Sequence, residues 1–149
     1  MAIYVDANVF VHLIIESELT ENAKKIFYLA EDFLTSPAAL EEAIYIGIRL
    51  IAAERLGIYR PHELRRYVAR HGINFARDYI GELRAFLQEA GIEVVADNTS
   101  LEDIISIMRS YNLLPNDALI AATCRKRGIK IIATFNDDFR RVDFLIVIP

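Results

Sequence analysis

Apolar residues along the chain follow two rhythms. Short continuous runs rich in β-branched and aromatic residues predict strands at Ile3 to Asp6, Leu34 to Ser36, Ile92 to Val95, Ile129 to Thr134 and Phe144 to Ile148. Between them, helical periodicity predicts helices over Asn22 to Phe33, Pro37 to Leu56, His62 to Ala69, Phe75 to Ala90, Leu101 to Tyr111 and Asn116 to Arg127. Punctuation agrees with several of these boundaries. Ser36 is placed to cap a helix with Pro37 at its first position, "SLED" from Ser100 resembles a capping box, and Gly91 and Gly128 stop their helices. Strands that alternate with helices need crossover connections. The pattern therefore predicts an α/β fold: a parallel sheet of about five strands flanked by helices, in one domain over residues 1–149.

In such a sheet, ligands bind beyond the carboxyl ends of the strands, near the point where strand order reverses. Acids and amides recur at those ends. "VDANVF" puts Asp6 at the end of the first strand with Asn8 behind it, and "TSPAALEEAIY" puts Glu41 and Glu42 just past the first turn of an apolar helix. On a helical wheel Leu40, Ile44, Ile48 and Ile51 form one stripe; Glu41 borders it, and Glu42 lies nearly opposite with Arg49 on its flank. "LLPNDALIAATC" carries Asn116 and Asp117, and "IIATFNDDF" carries Thr134, Asn136, Asp137 and Asp138. Each has a bland alternative: a surface Glu–Arg pair for Glu42, helix capping for Asn116 or Asp117, and turn chemistry for the last group. Taken together, they would line a single rim.

Bulk properties narrow the chemistry. A hydrophobic share of 54% is enough for a packed core, and a net charge of −4 argues against coating nucleic acid through bulk electrostatics. Arginines are nonetheless concentrated in "ELRRYVAR", "CRKRG" and "DDFRRV". No apolar run reaches membrane-spanning length, no signal peptide is recognisable, and the lone Cys124 reads as a core residue, so the expectation is a cytoplasmic protein without a membrane partner. His12, His62 and His71 have no ligand spacing, and no Gly-rich phosphate loop is present. The opening "DANVF" lacks the second Asp that an Asp-x-Asp phosphatase needs as proton donor.

Carboxylates gathered in one pocket repel one another unless a cation compensates, and Mg²⁺ or Mn²⁺ prefers such oxygen ligands. The ordered series "VDANVF", "SPAALEEAIY", "PNDALIAATC", "IIATFNDDF" resembles the PIN-domain ribonucleases, in particular the VapC-type toxins of toxin–antitoxin pairs. The resemblance implies a three-layer α/β/α fold and a Mg²⁺- or Mn²⁺-dependent endoribonuclease that leaves a 3′ hydroxyl and a 5′ phosphate. It selects Asp6, Glu42 rather than Glu41, Asp117 and Asp138 as catalytic and metal-binding acids, with Asn8, Thr134, Asn136, Asp137 and Asn116 in support. It also implies a homodimer, an RNA substrate and a cognate antitoxin. One motif departs from the family: Asn136 stands where an acid is usual, which bears on a second metal and leaves open a degenerate PIN-like module that binds RNA or a partner without cleavage. The apolar helix "PAALEEAIYIGIRLIAA", with Ile26, Phe27 and Leu34, is expected to supply the dimer surface.

Overall fold

The computed structural model describes residues 1–30 and 32–149. Five parallel strands form one sheet: β1 (Ile3–Val5), β2 (Phe33–Thr35), β3 (Glu93–Val94), β4 (Ile131–Ala133) and β5 (Ile146–Ile148), in the order β3-β2-β1-β4-β5. Alternation along β1 sends side chains to opposite faces, and both faces are covered. Tyr4 joins a core with Ile107, Leu113, Ile120 and Phe139 on the side of α6 (Leu101–Tyr111) and α7 (Pro115–Lys126). Ile3 and Val5 join a second core with Val9, Phe10, Ile26 and Leu83, built by α1 (Ala7–Ile14), α2 (Thr20–Ile26), α3 (Pro37–Ile51) and α5 (Arg77–Glu89). The helix α4 (Pro61–His71) buries only Leu64. The result is the three-layer α/β/α arrangement expected from the sequence. Strand order reverses between β1 and β4, and the crevice at their carboxyl ends is the switch point.

Several elements differ from expectation for identifiable reasons. The helix expected over Asn22 to Phe33 ends at Ile26, and Phe33 belongs to β2; residue 31 within that span lies outside the described residues. The helix α1 was not anticipated, because the chain passes from β1 into it with only Asp6 between. The expected Pro37 to Leu56 helix becomes π-helical over Ala52–Leu56 and stops at Gly57 in the left-handed conformation (φ 66°). Its buried face is Ala39, Ala43 and Gly47, whereas the Leu40, Ile44, Ile48 and Ile51 stripe is only half-buried. Small residues win because the neighbours come close: a Cβ on Gly47 would stand 2.1 Å from the Tyr79 ring. The strands expected at "IEVV" and "FLIVI" are edge strands, so β3 exposes both residues and β5 is only partly covered. Ile26 and Leu34 are buried within the chain and cannot contribute to the expected dimer surface; exposed apolar groups near it include Tyr28, Leu29, Tyr45 and Leu50, with Tyr59 and Ile73 further along the chain.

Candidate active site

Asp6 receives its position from both neighbours of β1. Its backbone N–H donates to the Ala133 carbonyl at 3.0 Å, extending the β1–β4 ladder by one residue, and its side chain then caps α1, Oδ1 accepting from the Ala7 N–H at 2.8 Å. The Thr134 hydroxyl donates to Oδ2 at 2.7 Å. The carboxylate is thus both a cap and a buried group at the crevice. Burial is the main reason its pKa is pushed up to about 6, while the bonds from Thr134 and Ala7 oppose the shift and the charge of Asp117 adds to it.

Thr134 organises the end of β4. Besides Asp6, its hydroxyl oxygen accepts from the Asn136 N–H at 3.0 Å and from Asn8 Nδ2 at 3.3 Å. Asn8 Oδ1 in turn accepts from the Phe135 N–H at 3.1 Å, so Asn8 ties α1 to the strand end that carries Thr134.

The two helices facing Asp6 supply the other acids. Glu42 is half-buried and Glu41 exposed. Asn116 Nδ2 donates to Glu42 Oε2 at 3.0 Å, and no ion pair joins Glu42 to Arg49 among the described residues. Desolvation, then the charges of Asp6, Asp117 and Glu41, push Glu42 up to about 7. Neither Asn116 nor Asp117 caps α7, whose cap residue is Leu114. Asp117 instead accepts from Asn136 Nδ2 at 3.2 Å. Its pKa is raised chiefly by burial and also by Asp138, with Asn136 and Arg141 acting against the shift.

Asn136 uses both ends of its amide. Its carbonyl accepts from the Asp138 N–H at 3.0 Å, capping a 3₁₀ turn over Asp137–Arg141, and its NH₂ meets Asp117. The opposite flip would set carbonyl against carboxylate and NH₂ against N–H. Asp138 is exposed and pairs with Arg141 at 3.0 Å, while Arg141 also donates to the Tyr111 and Asn112 carbonyls at 2.9 and 2.7 Å. Asp137 pairs with Arg140 at 3.0 Å on the exposed side of the turn. Asp6, Glu42 and Asp117 therefore converge with Asn8, Asn116, Thr134 and Asn136; Asp138 borders the group, and Asp137 does not join it. Arg141 was visible in the sequence only as part of a basic cluster, since two of its three anchors, the Tyr111 and Asn112 carbonyls, lie elsewhere in the chain.

The donor set suits a hard divalent cation: every group is oxygen-bearing, three are buried or half-buried carboxylates, and Asp117 raises the proton affinity of Asp6 while both raise that of Glu42. The acids stand within Coulombic reach rather than coordination distance. Among the described residues, no group of three or more His, Cys, Asp or Glu side chains is drawn together tightly enough to hold an ion. An ion here would take one or two carboxylates at a time, the usual number for Mg²⁺.

Comparison with known proteins agrees with this geometry. The PIN domain family model matches residues 3–145. The chain is 30% identical to Ribonuclease VapC2 of Methanocaldococcus jannaschii over 148 residues, covering 98% of this chain and 92% of the relative. A 42-residue stretch, 28% of each chain, is 52% identical to Ribonuclease VapC6 of the same organism. In fold, it is similar to VapBC2 from Rickettsia felis bound to a promoter DNA fragment (TM-score 0.62, 16% identity, 99% and 98% of the two chains). It is also similar to a toxin–antitoxin complex from Klebsiella pneumoniae (TM-score 0.58, 16% identity, 97% and 95%). With the acid-bearing motifs converging at the switch point and the family match running through nearly all of its length, the chain belongs to the PIN domain family.

Proposed function

We propose that this chain is a metal-dependent endoribonuclease that hydrolyses RNA phosphodiester bonds as the toxin of a toxin–antitoxin pair. The observation that carries the reading is the meeting of Asp6, Glu42 and Asp117, from three different elements, in a crevice whose burial raises all three pKa values, with Asp117 adding to the shift of Asp6 and both adding to that of Glu42. Full-length similarity to a protein named a ribonuclease supports RNA as substrate. The antitoxin partner extends to this chain what the neighbours' complexes contain.

Asp6, Glu42 and Asp117, with Asp138 at the border, would hold Mg²⁺ or Mn²⁺. When bound, the ion would neutralise charge and supply Lewis acidity towards the phosphodiester. The protein's own groups orient the acids: Thr134 fixes Asp6, Asn116 fixes Glu42 and Asn136 fixes Asp117. Asn116 engages Glu42 Oε2, so Oε1 is the oxygen placed to accept a proton from attacking water. Arg141, anchored by two carbonyls and Asp138, places a positive charge at the rim for an RNA phosphate.

A second reading, a module that binds RNA or a partner without cutting, is favoured by one observation: residue 136 brings a neutral amide to Asp117. Cleavage of a labelled RNA in Mn²⁺ by Glu42→Gln and Glu41→Gln variants separates the two. The nuclease reading expects loss of cleavage in the first and near-parent cleavage in the second. Equal rates in both would remove Glu42 from the site.

A further inference from the structure

Asp97 lies on the loop after β3, outside every motif named above, and its carboxylate bridges two helices. Oδ2 accepts from the Ala38 backbone N–H at 2.7 Å, and Oδ1 accepts from the Thr123 hydroxyl at 2.9 Å. The first contact answers a need of α3. Ser36 occupies its cap position, but the Ser36 hydroxyl is engaged by Tyr4 and makes no cap bond; the Ala39 and Leu40 amides reach the Ser36 carbonyl at 3.1 Å, Pro37 has no N–H, and the Ala38 amide is left without a local partner. A carboxylate brought from 59 residues away takes that role and complements the helix dipole. The second contact reaches the buried middle of α7, where the Thr123 hydroxyl is shared between Asp97 and the Leu119 carbonyl at 3.0 Å.

The register of these contacts connects them to the acidic crevice. Ala38 and Glu42 are four residues apart on α3, and Asn116 and Thr123 are seven apart on α7, so each pair lies along one helix face. The Asn116–Glu42 bond and the Asp97 bridge are two rungs of the same α3–α7 contact, one at the rim and one further in. We infer that Asp97 is a positioning residue: it sets the spacing of α3 against α7 and so holds Glu42 in register with Asn116 and Asp117.

The activity arm of the test rests on the nuclease reading above, and the other readouts do not. Thr123→Val keeps the shape of the side chain and removes only the hydroxyl, whereas Thr123→Ser keeps the hydroxyl. Asp97→Ala removes the whole bridge. With folding verified by circular dichroism, Thr123→Val and Asp97→Ala should weaken Mn²⁺ binding about tenfold, as loss of groups that orient metal ligands commonly does, and should lower kcat more than KM. Thr123→Ser should restore both, and the Ala38 amide should exchange hydrogen faster in Asp97→Ala than in the parent. If Asp97→Ala does not fold, Thr123→Val alone decides. A folded Thr123→Val with parent Mn²⁺ affinity and parent kcat would overturn the inference. If the parent neither binds Mn²⁺ nor cleaves RNA, the nuclease reading fails instead; faster Ala38 exchange in Asp97→Ala would then still support the bridge, and unchanged exchange would overturn it.

Discussion

At the scale of single residues, the crevice behaves as a store of unfavourable charge. Asp6 titrates at about 6 in the folded chain against 3.8 for a free side chain, and Glu42 at about 7 against 4.5. A raised acid costs nothing while both states are protonated, begins to cost stability above its unfolded value, and costs most once pH exceeds the folded value. Metal-free protein should therefore lose stability from these two groups as pH rises from about 4 to about 7. Asp6→Asn removes one share while Asn can still cap α1. Thermal melts in EDTA should show the variant close to the parent near pH 4 and more stable at pH 8, by up to about 3 kcal/mol. A parent that outlasts the variant at pH 8 would contradict the burial argument. Asn136 gives the reverse experiment. Asn136→Asp would face Asp117 with a second carboxylate instead of a donor, so calorimetry should find lower metal-free stability and tighter Mn²⁺ binding.

At the scale of elements, α3 is the one whose placement matters most, and its small-residue face makes that placement testable. The Tyr79 ring occupies the notch at Gly47 and its hydroxyl donates to the Ala43 carbonyl at 2.7 Å, one residue from Glu42. Gly47→Ala should push α5 away at a cost of about 1–3 kcal/mol. Gly81→Ala in α5, where a Cβ meets nothing within 4 Å, should be neutral or stabilising by up to about 1 kcal/mol in the same denaturant titration. Comparable losses in both would mean that Tyr79 does not sit in the notch. These elements also show what the sequence can and cannot reveal. Continuous apolar runs and helical periods located β1, β2, β4, α6 and α7 closely, because local pattern and burial agree there. The acids Asp6, Glu42 and Asp117 were legible because short motifs carry them. What escaped depends on partners distant in sequence: Ser36 looks like a cap but bonds Tyr4, and Asp97 looks like a loop residue but caps α3. Ile26 and Leu34 were expected on a dimer surface, yet Ile26 ends α2 inside the core and Leu34 lies buried in β2, an outcome only the tertiary fold decides.

At the scale of the whole molecule, an apolar groove between α3 and α4, lined by Tyr45, Ile48, Leu64, Val68 and Ile73, has no partner among the described residues. We expect a second copy to cover it, since Tyr45 and Ile73 of its lining are exposed. Light scattering at micromolar concentration should give twice the 17.0 kDa chain mass, and Val68→Asp should return the monomer. A parent that is monomeric under those conditions would contradict the assembly. No helix among the described residues is long and apolar enough to cross a membrane. The central claim, that the acidic crevice cuts RNA with a divalent ion, has one most direct measurement. Purified parent and Asp6→Asn are incubated with end-labelled RNA in Mg²⁺, in Mn²⁺ and in EDTA, and the products are resolved at single-nucleotide resolution. The expected result is internal cleavage by the parent with either ion, none in EDTA, and none by Asp6→Asn under any condition. Cleavage that persists in EDTA, or that Asp6→Asn retains, would contradict it.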